Sequence, residues 1–557
     1  NDTIVGGDGI DTIDGNAGVD NLSGGAGNDI FTLNSKAEYS GALGTDIIDG
    51  GAGTDTVTFT GAQNLSAAEL ATISNTESWT IPDGSDITLS DAVLAANPGL
   101  AFNFAGGGTI STGEDTAGKS LMTTALNVTA TSNGALKIVS SSSDDSFTFD
   151  HTQSLTVDDT IDGNAGTDTL FLNNNTSPGG ADGTGNAVAA TIDVDVKGIE
   201  KIVVNDLAVD YDGNAEVIIT NGYTDTALTI DATALDVDPT AEGTGETLTV
   251  TNNDVNVNLT VLGGAARDTV TGNGGADSIV GNGAADQLNG GGGNDTIEGG
   301  AGNDALNGGA GADHISGGAG ADTITVSTYT DFKTSGGVET VDGGTGIDTL
   351  AFAQNNTGLA LTAPELSEIS NIEAITIASG TGTATMTFGN SFFEGLGATS
   401  ITITSNTGSG VTTIDGSAVS NGSFLIINDI GADTADKYVG GSGDDIFRFD
   451  GTAGLKANDT VTGGLGNDIV QLDASAANVT ATLDLDTTSV EKVVVYAGAT
   501  GINAGAVDLR LDENGTALNA YTGTGLEIDM TAIVNTGVAG AKVNFVDGGN
   551  VGTFEFT

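Results

Sequence analysis

The stretch from Gly263 to Thr325 consists of seven consecutive nine-residue repeats: GGAARDTVT, GNGGADSIV, GNGAADQLN, GGGGNDTIE, GGAGNDALN, GGAGADHIS and GGAGADTIT. Every sixth position is aspartate, and every eighth is aliphatic, namely Val270, Ile279, Leu288, Ile297, Leu306, Ile315 and Ile324. A fixed short period is typical of a solenoid, in which each repeat stacks on its neighbours. The pattern predicts that the first six residues form a turn, that the last three form a short strand, and that the eighth position points into the core.

The same repeat recurs outside this stretch. A run of three lies at 6–32, and single copies lie at 50–58, 163–171, 343–351, 440–448 and 463–471. The chain begins in mid-repeat with NDTIV, so we expect it to be a fragment or a processed product whose targeting or anchoring segments lie outside this sequence.

The composition narrows the class of protein. The 557 residues include 75 acidic and 13 basic ones, which gives a net charge of −62. Such a surface repels nucleic acid and attracts divalent cations, so we expect no nucleic-acid partner. The 38% hydrophobic content argues against disorder, and the absence of cysteine excludes disulfides. We find no apolar run of 18 residues and therefore expect no transmembrane segment.

A larger repeat is superimposed on the nonapeptides. After four of the repeat sites the chain leads through a polar stretch to a predicted strand that contains glutamate, at 76–81, 199–203, 372–377 and 490–495. Two of the approaches to these strands are near-copies in which a capping box predicts a short helix, formed by Ser66 with Glu69 and by Thr362 with Glu365. Alternating apolar and polar residues, as at 247–250 and 255–261, predict further half-buried strands.

These patterns predict an all-β fold, an elongated parallel β-helix or β-roll solenoid with glycine-aspartate turns and interspersed β-rich segments. The predicted repeat blocks are 1–60, 144–173, 263–351 and 433–473, and the predicted β-rich segments are 61–143, 174–262, 352–432 and 474–557. The sequence leaves open whether these segments continue the solenoid or form separate sandwiches.

The glycines and aspartates of the repeat suit calcium. This ion takes six to eight oxygen ligands, carboxylate and carbonyl, at about 2.3–2.6 Å. Glycine permits the positive φ values that turn carbonyls inward. Two nonapeptides make one coil, so equivalent aspartates stack about 4.7–4.9 Å apart. At that spacing two carboxylates repel by about 3–4 kcal/mol unless a cation lies between them.

The sequence therefore predicts several Ca²⁺ ions held at the repeat turns. The predicted metal-binding residues are the aspartates Asp2, Asp11, Asp20, Asp29, Asp55, Asp168, Asp268, Asp277, Asp286, Asp295, Asp304, Asp313, Asp322, Asp348, Asp445 and Asp468, and the glycines Gly6, Gly15, Gly24, Gly290, Gly299, Gly308 and Gly317. The alternative is that glycine and aspartate serve only as turn formers, which applies most to the isolated copies. Ala266 and Ala284, at fourth positions, mark the least secure turns.

With these nonapeptides the chain resembles the RTX family of secreted bacterial proteins. Its interspersed modules and its lysine-poor composition, rich in threonine, alanine and glycine, resemble RTX-type S-layer proteins. The resemblance implies type I secretion in an unfolded state, folding on extracellular calcium, and calcium-aided assembly of identical chains into a lattice on the bacterial cell surface. A cell-surface polysaccharide, bound through a region outside this sequence, is a further candidate partner. The family's C-terminal secretion signal and N-terminal anchor are not identifiable here.

Two other functions stay open. The repeats would also stiffen the extender region of a large RTX adhesin or an extracellular matrix filament, although such extenders usually repeat with tighter identity. They would also serve as the secretion tail of an enzyme. Because the sequence contains neither HExxH nor G-x-S-x-G, the protease and lipase branches of the family have no active site here, and we expect no enzyme.

Several other motifs are interpreted as structural. The P-loop pattern at 113–120 lies in a β-like context and carries Glu114 and Asp115, which would repel phosphates. His151 and His314 lack the spacing of a zinc site, and the turn 210–213 lacks that of an EF-hand. We predict core packing, rather than a sugar-stacking platform, for Trp79, Phe31, Phe147, Phe149, Phe447 and Phe449, and a decayed repeat at 547–554.

Overall fold

The structure is a computed structural model. It describes residues 1–41, 44–112, 122–130, 135–150, 155, 158–174, 188–192, 195–206, 215–220, 223–235, 247–327, 339–353, 358–378, 383–405, 410–430, 435–449, 459–473, 480–482, 489–496, 506–510, 527–529, 542–547 and 550–555. The chain forms two units, Asn1–Gly290 and Gly291–Thr557.

Unit 1 is a succession of coils in which strands alternate between two sets of parallel sheets. One set is a single series, with the strands Thr12–Ile13, Ile30–Leu33, Thr56–Phe59, Ser78–Ile81, Ala101–Phe104, Asn127–Ala130, Ser146–Asp150, Thr169–Asn174, Lys201–Asp206, Ala227–Asp231, Asn258–Leu262 and Ser278–Gly283. The other set has three series. The first has the strands Thr3–Asp8, Asn21–Ala26, Ile47–Ala52 and Ile73–Ser74, and the second has Asn64–Leu65, Ser85–Thr88, Gly108–Ser111, Leu136–Val139, Thr160–Asp162 and Val196–Lys197. The third has Val188–Ile192, Ala215–Ile219, Leu248–Asn252, Thr269–Thr271 and Gln287–Gly292, and its last strand extends two residues past Gly290, where unit 1 ends. The short strands Ser40–Gly41 and Gly44–Thr45 pair antiparallel.

Unit 2 repeats this arrangement. Its longest series has the strands Ala305–Ala310, Thr323–Val326, Thr349–Phe352, Ala374–Ile377, Ser400–Ser405, Phe424–Asp429, Ile446–Phe449, Ile469–Asp473, Lys492–Tyr496 and Glu527–Asp529. The others have Thr296–Ala301, His314–Gly320, Thr340–Gly346 and Ile369–Ser370; Leu359–Leu361, Ala384–Gly389, Thr412–Ala418, Lys437–Val439 and Thr460–Thr462; and Thr480–Thr482, Ala506–Arg510, Lys542–Asp547 and Asn550–Glu555.

The register confirms that two nonapeptides make one coil. Thr3 pairs with Asn21, and Thr296 pairs with His314, each across 18 residues. The aliphatic eighth positions of the seven-repeat stretch are at most 2% exposed and form the core, as predicted. The strands are longer than predicted, because a strand such as Thr296–Ala301 also includes the first three residues of the next repeat.

The β-rich segments continue the solenoid, which answers the question that the sequence left open. Ser78–Ile81, in the first such segment, pairs in parallel with the repeat strand Thr56–Phe59 and with Ala101–Phe104. Trp79 is fully buried in this series and contacts Phe59 and Phe102 edge-on, at ring-centroid distances of 6.0 and 5.5 Å. The prediction of core packing for the aromatic residues is confirmed, since Phe31, Phe147, Phe149, Phe447 and Phe449 are also buried.

Within the described ranges, five short helices interrupt the coils: Lys36–Tyr39, Ala67–Leu70, Asp91–Ala96, Ala363–Leu366 and Asn390–Leu396. Both predicted capping boxes are present. The Ser66 N–H donates to Glu69 Oε2 at 2.8 Å, and the Thr362 N–H donates to Glu365 Oε2 at 2.6 Å.

Other local predictions need correction. The glutamates of the four predicted Glu-bearing strands precede the strands, which begin at Ser78, Lys201, Ala374 and Lys492. Residues 255–256 form a turn, and the strand begins at Asn258. The predicted decayed repeat at 547–554 instead belongs to the antiparallel pair Lys542–Asp547 and Asn550–Glu555, because the chain reverses there rather than completing a coil.

Candidate metal sites at the stacked turns

The repeat turns place their second and fourth residues in the left-handed region. In the turn after Ser316, φ is 106° at Gly318 and 144° at Gly320. A Cβ on Gly318 would overlap Gly300 O of the turn below, so the turns stack backbone against backbone. Ala284 also adopts a positive φ, of 65°, and its turn therefore keeps the repeat geometry despite the missing glycine.

Hydrogen bonds connect the sixth-position aspartates along each edge. In each pair, the main-chain N–H of one aspartate donates to Oδ1 of the aspartate one coil later. We call this series the carboxylate ladder. Its bonds measure 2.7–2.9 Å for Asp11 to Asp29, Asp20 to Asp46, Asp29 to Asp55, Asp268 to Asp286, Asp295 to Asp313, Asp304 to Asp322 and Asp322 to Asp348.

The second carboxylate oxygen, Oδ2, points at the first glycine of its own repeat. A Cβ built on Gly6 would lie 2.5 Å from both Asp11 Oδ2 and Gly24 O. The same placement recurs at Gly24, Gly299 and Gly317, while Gly15 and Gly308 face the Oδ2 atoms of Asp20 and Asp313. A carboxylate oxygen and a carbonyl oxygen of the next coil thus converge on a space that only glycine leaves open.

In the part of the chain that the structure describes, many of these Oδ2 atoms are buried without a hydrogen-bond partner. They belong to Asp11, Asp20, Asp29, Asp55, Asp168, Asp322, Asp348 and Asp468. Burying a charged oxygen without a partner is costly, so these atoms fit a cation that lies between coils. The described residues contain no group of three or more acidic, histidine or cysteine side chains that could hold a metal. A site here would therefore draw on main-chain carbonyls for most of its oxygens, which calcium accepts.

The surroundings of the ladders change the acidity of their carboxyl groups. Burial, together with the negative charges of Asp145 and Glu200, raises the pKa of Asp168 to about 7. Burial and the charges of Asp445 and Glu491 raise the pKa of Asp468 to about 7 in the same way. Each group is thus only partly ionised near neutral pH when no cation is bound, and a divalent cation would favour its charged form.

Two predicted ligands differ from the rest. Asp268 accepts the Leu248 N–H at Oδ1 and the Gly264 N–H at Oδ2, both at 2.8 Å. Asp445 accepts the Leu425 and Gly441 N–H groups in the same way, at 2.6 and 2.7 Å. Neither turn therefore offers an unpaired Oδ2 of the kind found at Asp29 and Asp322. Asp2, at the start of the chain, also differs because it is exposed.

Five buried acidic residues that the sequence analysis missed occupy sixth positions just before the single nonapeptides. Asp46 and Asp159 accept the Asp20 and Leu136 N–H groups, and Asp436 and Asp459 accept those of Thr412 and Asp436. Each lies in the pattern Asp-x-U-x-Gly, where U is apolar, which is the second half of a nonapeptide. Glu339 is buried in the equivalent place before Gly343. The half-repeat pattern would have identified the four aspartates, and Glu339 as well once glutamate is allowed in place of aspartate.

The remaining motifs give no competing site. His314 is exposed, as predicted, and its Nδ1 lies 2.6 Å from Thr340 Oγ1. His151 and the stretches 113–120 and 210–213 lie outside the described residues. Within the described ranges, no helix has both the length and the apolar character that crossing a membrane requires.

The comparison with protein families agrees with this geometry. The model of the RTX calcium-binding nonapeptide repeat (4 copies) matches residues 1–31, 40–59, 158–175, 262–297, 289–324 and 453–474. No curated protein matches the chain. The matched ranges include the half-repeats of Asp46, Asp159 and Asp459 as well as complete nonapeptides. The stacked turns are thus RTX calcium-binding repeats, which bind several Ca²⁺ ions, and the coils that they form are a calcium-binding β-roll.

Proposed function

We propose that the chain is a structural protein of a bacterial surface layer, in which calcium-stiffened coils of identical molecules assemble into an extracellular lattice. The observation that carries the proposal is the continuity of the parallel sheets from the calcium repeats into the β-rich segments, as where Ser78–Ile81 pairs with Thr56–Phe59. RTX proteins are typically secreted. A chain in which the calcium repeats are distributed among β-rich coils suits a scaffold better than the tail of a separate catalytic domain.

Charge supports the same proposal. A net charge of −62 keeps the chains apart in the absence of divalent cations, and exposed carboxylates of neighbouring molecules would share cations once calcium is present. The partner is therefore a second copy of the same chain. We propose no enzymatic activity, since a scaffold function requires none.

Electron microscopy of the purified chain tests this function. We expect ordered two-dimensional sheets in millimolar calcium and their loss after addition of a chelator. Fibres instead of sheets would favour the alternative, an adhesin extender or matrix filament. Particles that remain single at every calcium concentration would refute the proposal.

A further inference from the structure

Each run of repeats ends at a glutamate that lies outside the nonapeptides. The main-chain N–H of the last aspartate donates to Oε2 of this glutamate, where an earlier aspartate would donate to Oδ1 of the next aspartate. The four distances are 2.7 Å for Asp55 to Glu77, 2.7 Å for Asp168 to Glu200, 2.8 Å for Asp348 to Glu373 and 2.8 Å for Asp468 to Glu491. The glutamate N–H in turn donates to the carbonyl oxygen of the same aspartate, at 3.0–3.2 Å.

A residue with positive φ precedes each glutamate by two positions. These residues are Asn75 with φ 52°, Gly198 with 65°, Asn371 with 49° and Ser489 with 100°. At both asparagines the side chain is held in place, since Nδ2 donates to Oδ1 of Asp49 or Asp342 at 2.7 Å. Four different sequences thus adopt the same unusual backbone at the same point of the coil.

The left-handed residue presents its carbonyl oxygen to the last repeat turn. A Cβ on Gly50 would lie 2.8 Å from Asp55 Oδ2 and closer still to Asn75 O. Gly163 faces Asp168 Oδ2 and Gly198 O in the same way, and Gly463 faces Asp468 Oδ2 and Ser489 O. Between two ordinary coils, the carbonyl oxygen at this position belongs to the first glycine of the repeat one coil later, as when Gly50 O faces Gly24. At the end of a run, the carbonyl oxygen of the left-handed residue occupies the same position.

The last aspartate of each run also has one carboxylate oxygen, Oδ2, that is buried and unpaired in the described structure. Asp55, Asp168, Asp348 and Asp468 are fully buried, and in the described structure their Oδ2 atoms have no hydrogen-bond partner. Each of these atoms belongs to a turn that faces the carbonyl of the left-handed residue. A buried anionic oxygen beside a carbonyl oxygen requires a cation rather than a hydrogen-bond acceptor.

We propose that each run ends in a terminal calcium site completed from outside the nonapeptides, by the carbonyl oxygen of the left-handed residue and by the negative charge of the glutamate two residues later. An ion between two ordinary coils is neutralised by two aspartates, one from each coil. The coil after the last aspartate has no such aspartate, and the glutamate restores the charge. The inference rests on calcium binding by the repeats and is independent of lattice assembly.

The test compares two fourfold variants of the full chain. The first carries Glu77→Gln, Glu200→Gln, Glu373→Gln and Glu491→Gln, in which the glutamine oxygen still accepts the aspartate N–H while the charge is lost. The matched control carries the same substitution at glutamates that, among the described residues, accept no aspartate N–H: Glu216→Gln, Glu298→Gln, Glu368→Gln and Glu394→Gln. Bound calcium is counted after equilibrium dialysis at several free calcium concentrations, and far-UV circular dichroism in saturating calcium checks the fold.

We expect the first variant to bind one ion fewer than the wild type for each substituted glutamate at concentrations that saturate the control, with an affinity at these sites lowered at least about tenfold. Equal counts and affinities in the two variants would overturn the proposal and leave the glutamates as hydrogen-bonding caps alone. Asn371 provides a second test. Asn371→Gly should keep the ion of its run because glycine tolerates the same φ, whereas Asn371→Val should lose it because a β-branched residue resists positive φ. Retention of that ion by Asn371→Val would also count against the site.

Discussion

A methyl group placed in one of the glycine-lined spaces should remove a single calcium ion. Gly24 has no positive φ, so alanine is compatible with its backbone, but the added Cβ would lie 2.5 Å from Gly50 O and closer to Asp29 Oδ2. Gly24→Ala therefore fills the space between two coils without forcing alanine into an unfavourable φ. Gly61→Ala is a matched control, since its Cβ would meet nothing closer than Asn34 O at 3.6 Å.

Gly24→Ala should lower the free energy of unfolding through two contributions, of which only one depends on the calcium concentration. Crowding of Gly50 O destabilises the folded chain with or without metal, by about 1–3 kcal/mol. Loss of the ion adds a contribution that grows with calcium concentration, to about 2.7 kcal/mol at one hundred times the dissociation constant. Well above that constant, the difference in unfolding free energy between wild type and variant should increase by about 1.4 kcal/mol for each tenfold rise in free calcium.

Denaturant unfolding followed by circular dichroism, at a series of buffered calcium concentrations, measures this slope. Gly61→Ala should show a small difference that does not change with calcium. If the effect of Gly24→Ala is likewise the same at all calcium concentrations, no ion lies between Asp29 and the next coil, and the reasoning is wrong.

Three further predictions follow from the same geometry. Asp322→Asn should lower the number of bound calcium ions measured by equilibrium dialysis, whereas Asp268→Asn should not, because both Asp268 oxygens already accept main-chain N–H groups. In chelator, the stability that protonated Asp168 and Asp468 contribute should be complete below their unfolded pKa of about 4 and be lost as pH rises through about 7, so melting temperatures should fall from pH 5 to pH 8, and an increase would contradict the raised pKa values. Ile315→Ala, at a fully buried eighth position, should cost about 2–5 kcal/mol in denaturant unfolding, and a cost below about 1 kcal/mol would mean that this position is not core.

The period of the sequence was sufficient to predict most of the fold. Nine residues with one aliphatic position give a coil of 18 residues with two inward-facing side chains, and Thr296 pairs with His314 accordingly. The same period placed the aspartates on common edges, because residues one coil apart must stack. Both predictions depend on local spacing alone, which a single sequence displays.

The differences among turns depend on what each turn stacks upon. Gly264 and Gly441 belong to glycine pairs that look like the others, yet both lie outside the left-handed region. A Cβ on Gly264 would lie 2.8 Å from Leu235 O, and one on Gly441 would lie 2.8 Å from Val419 Cβ. These turns stack on ordinary turns of the β-rich segments rather than on a repeat turn. The main-chain N–H of the second residue of each repeat, Gly264 or Gly441, therefore donates to Oδ2 of the sixth-position aspartate. The nine-residue period does not show which turn lies beside each repeat, so it could not predict this bond.

The ends of the runs were difficult to predict for a related reason. Glu77, Glu200, Glu373 and Glu491 were visible as a recurring feature of the sequence, but their position in the period of nine is undefined because insertions separate them from the last repeat. Only the pairing of coils shows that Glu77 lies beside Asp55, 22 residues earlier. Insertions of this kind conceal a contact that a strict repeat would reveal.

The central claim is that calcium ions lie between successive coils. A crystal structure of the protein crystallised with calcium tests it most directly, because the anomalous signal locates the ions. We predict ions between successive coils where Oδ2 is unpaired, as at Asp29 and Asp322, within about 2.3–2.6 Å of that oxygen and of the facing carbonyl, and no ion at Oδ2 of Asp268 or Asp445. Stacked turns with the same carboxylate positions and no metal between Asp29 and the coil that follows it would contradict the account.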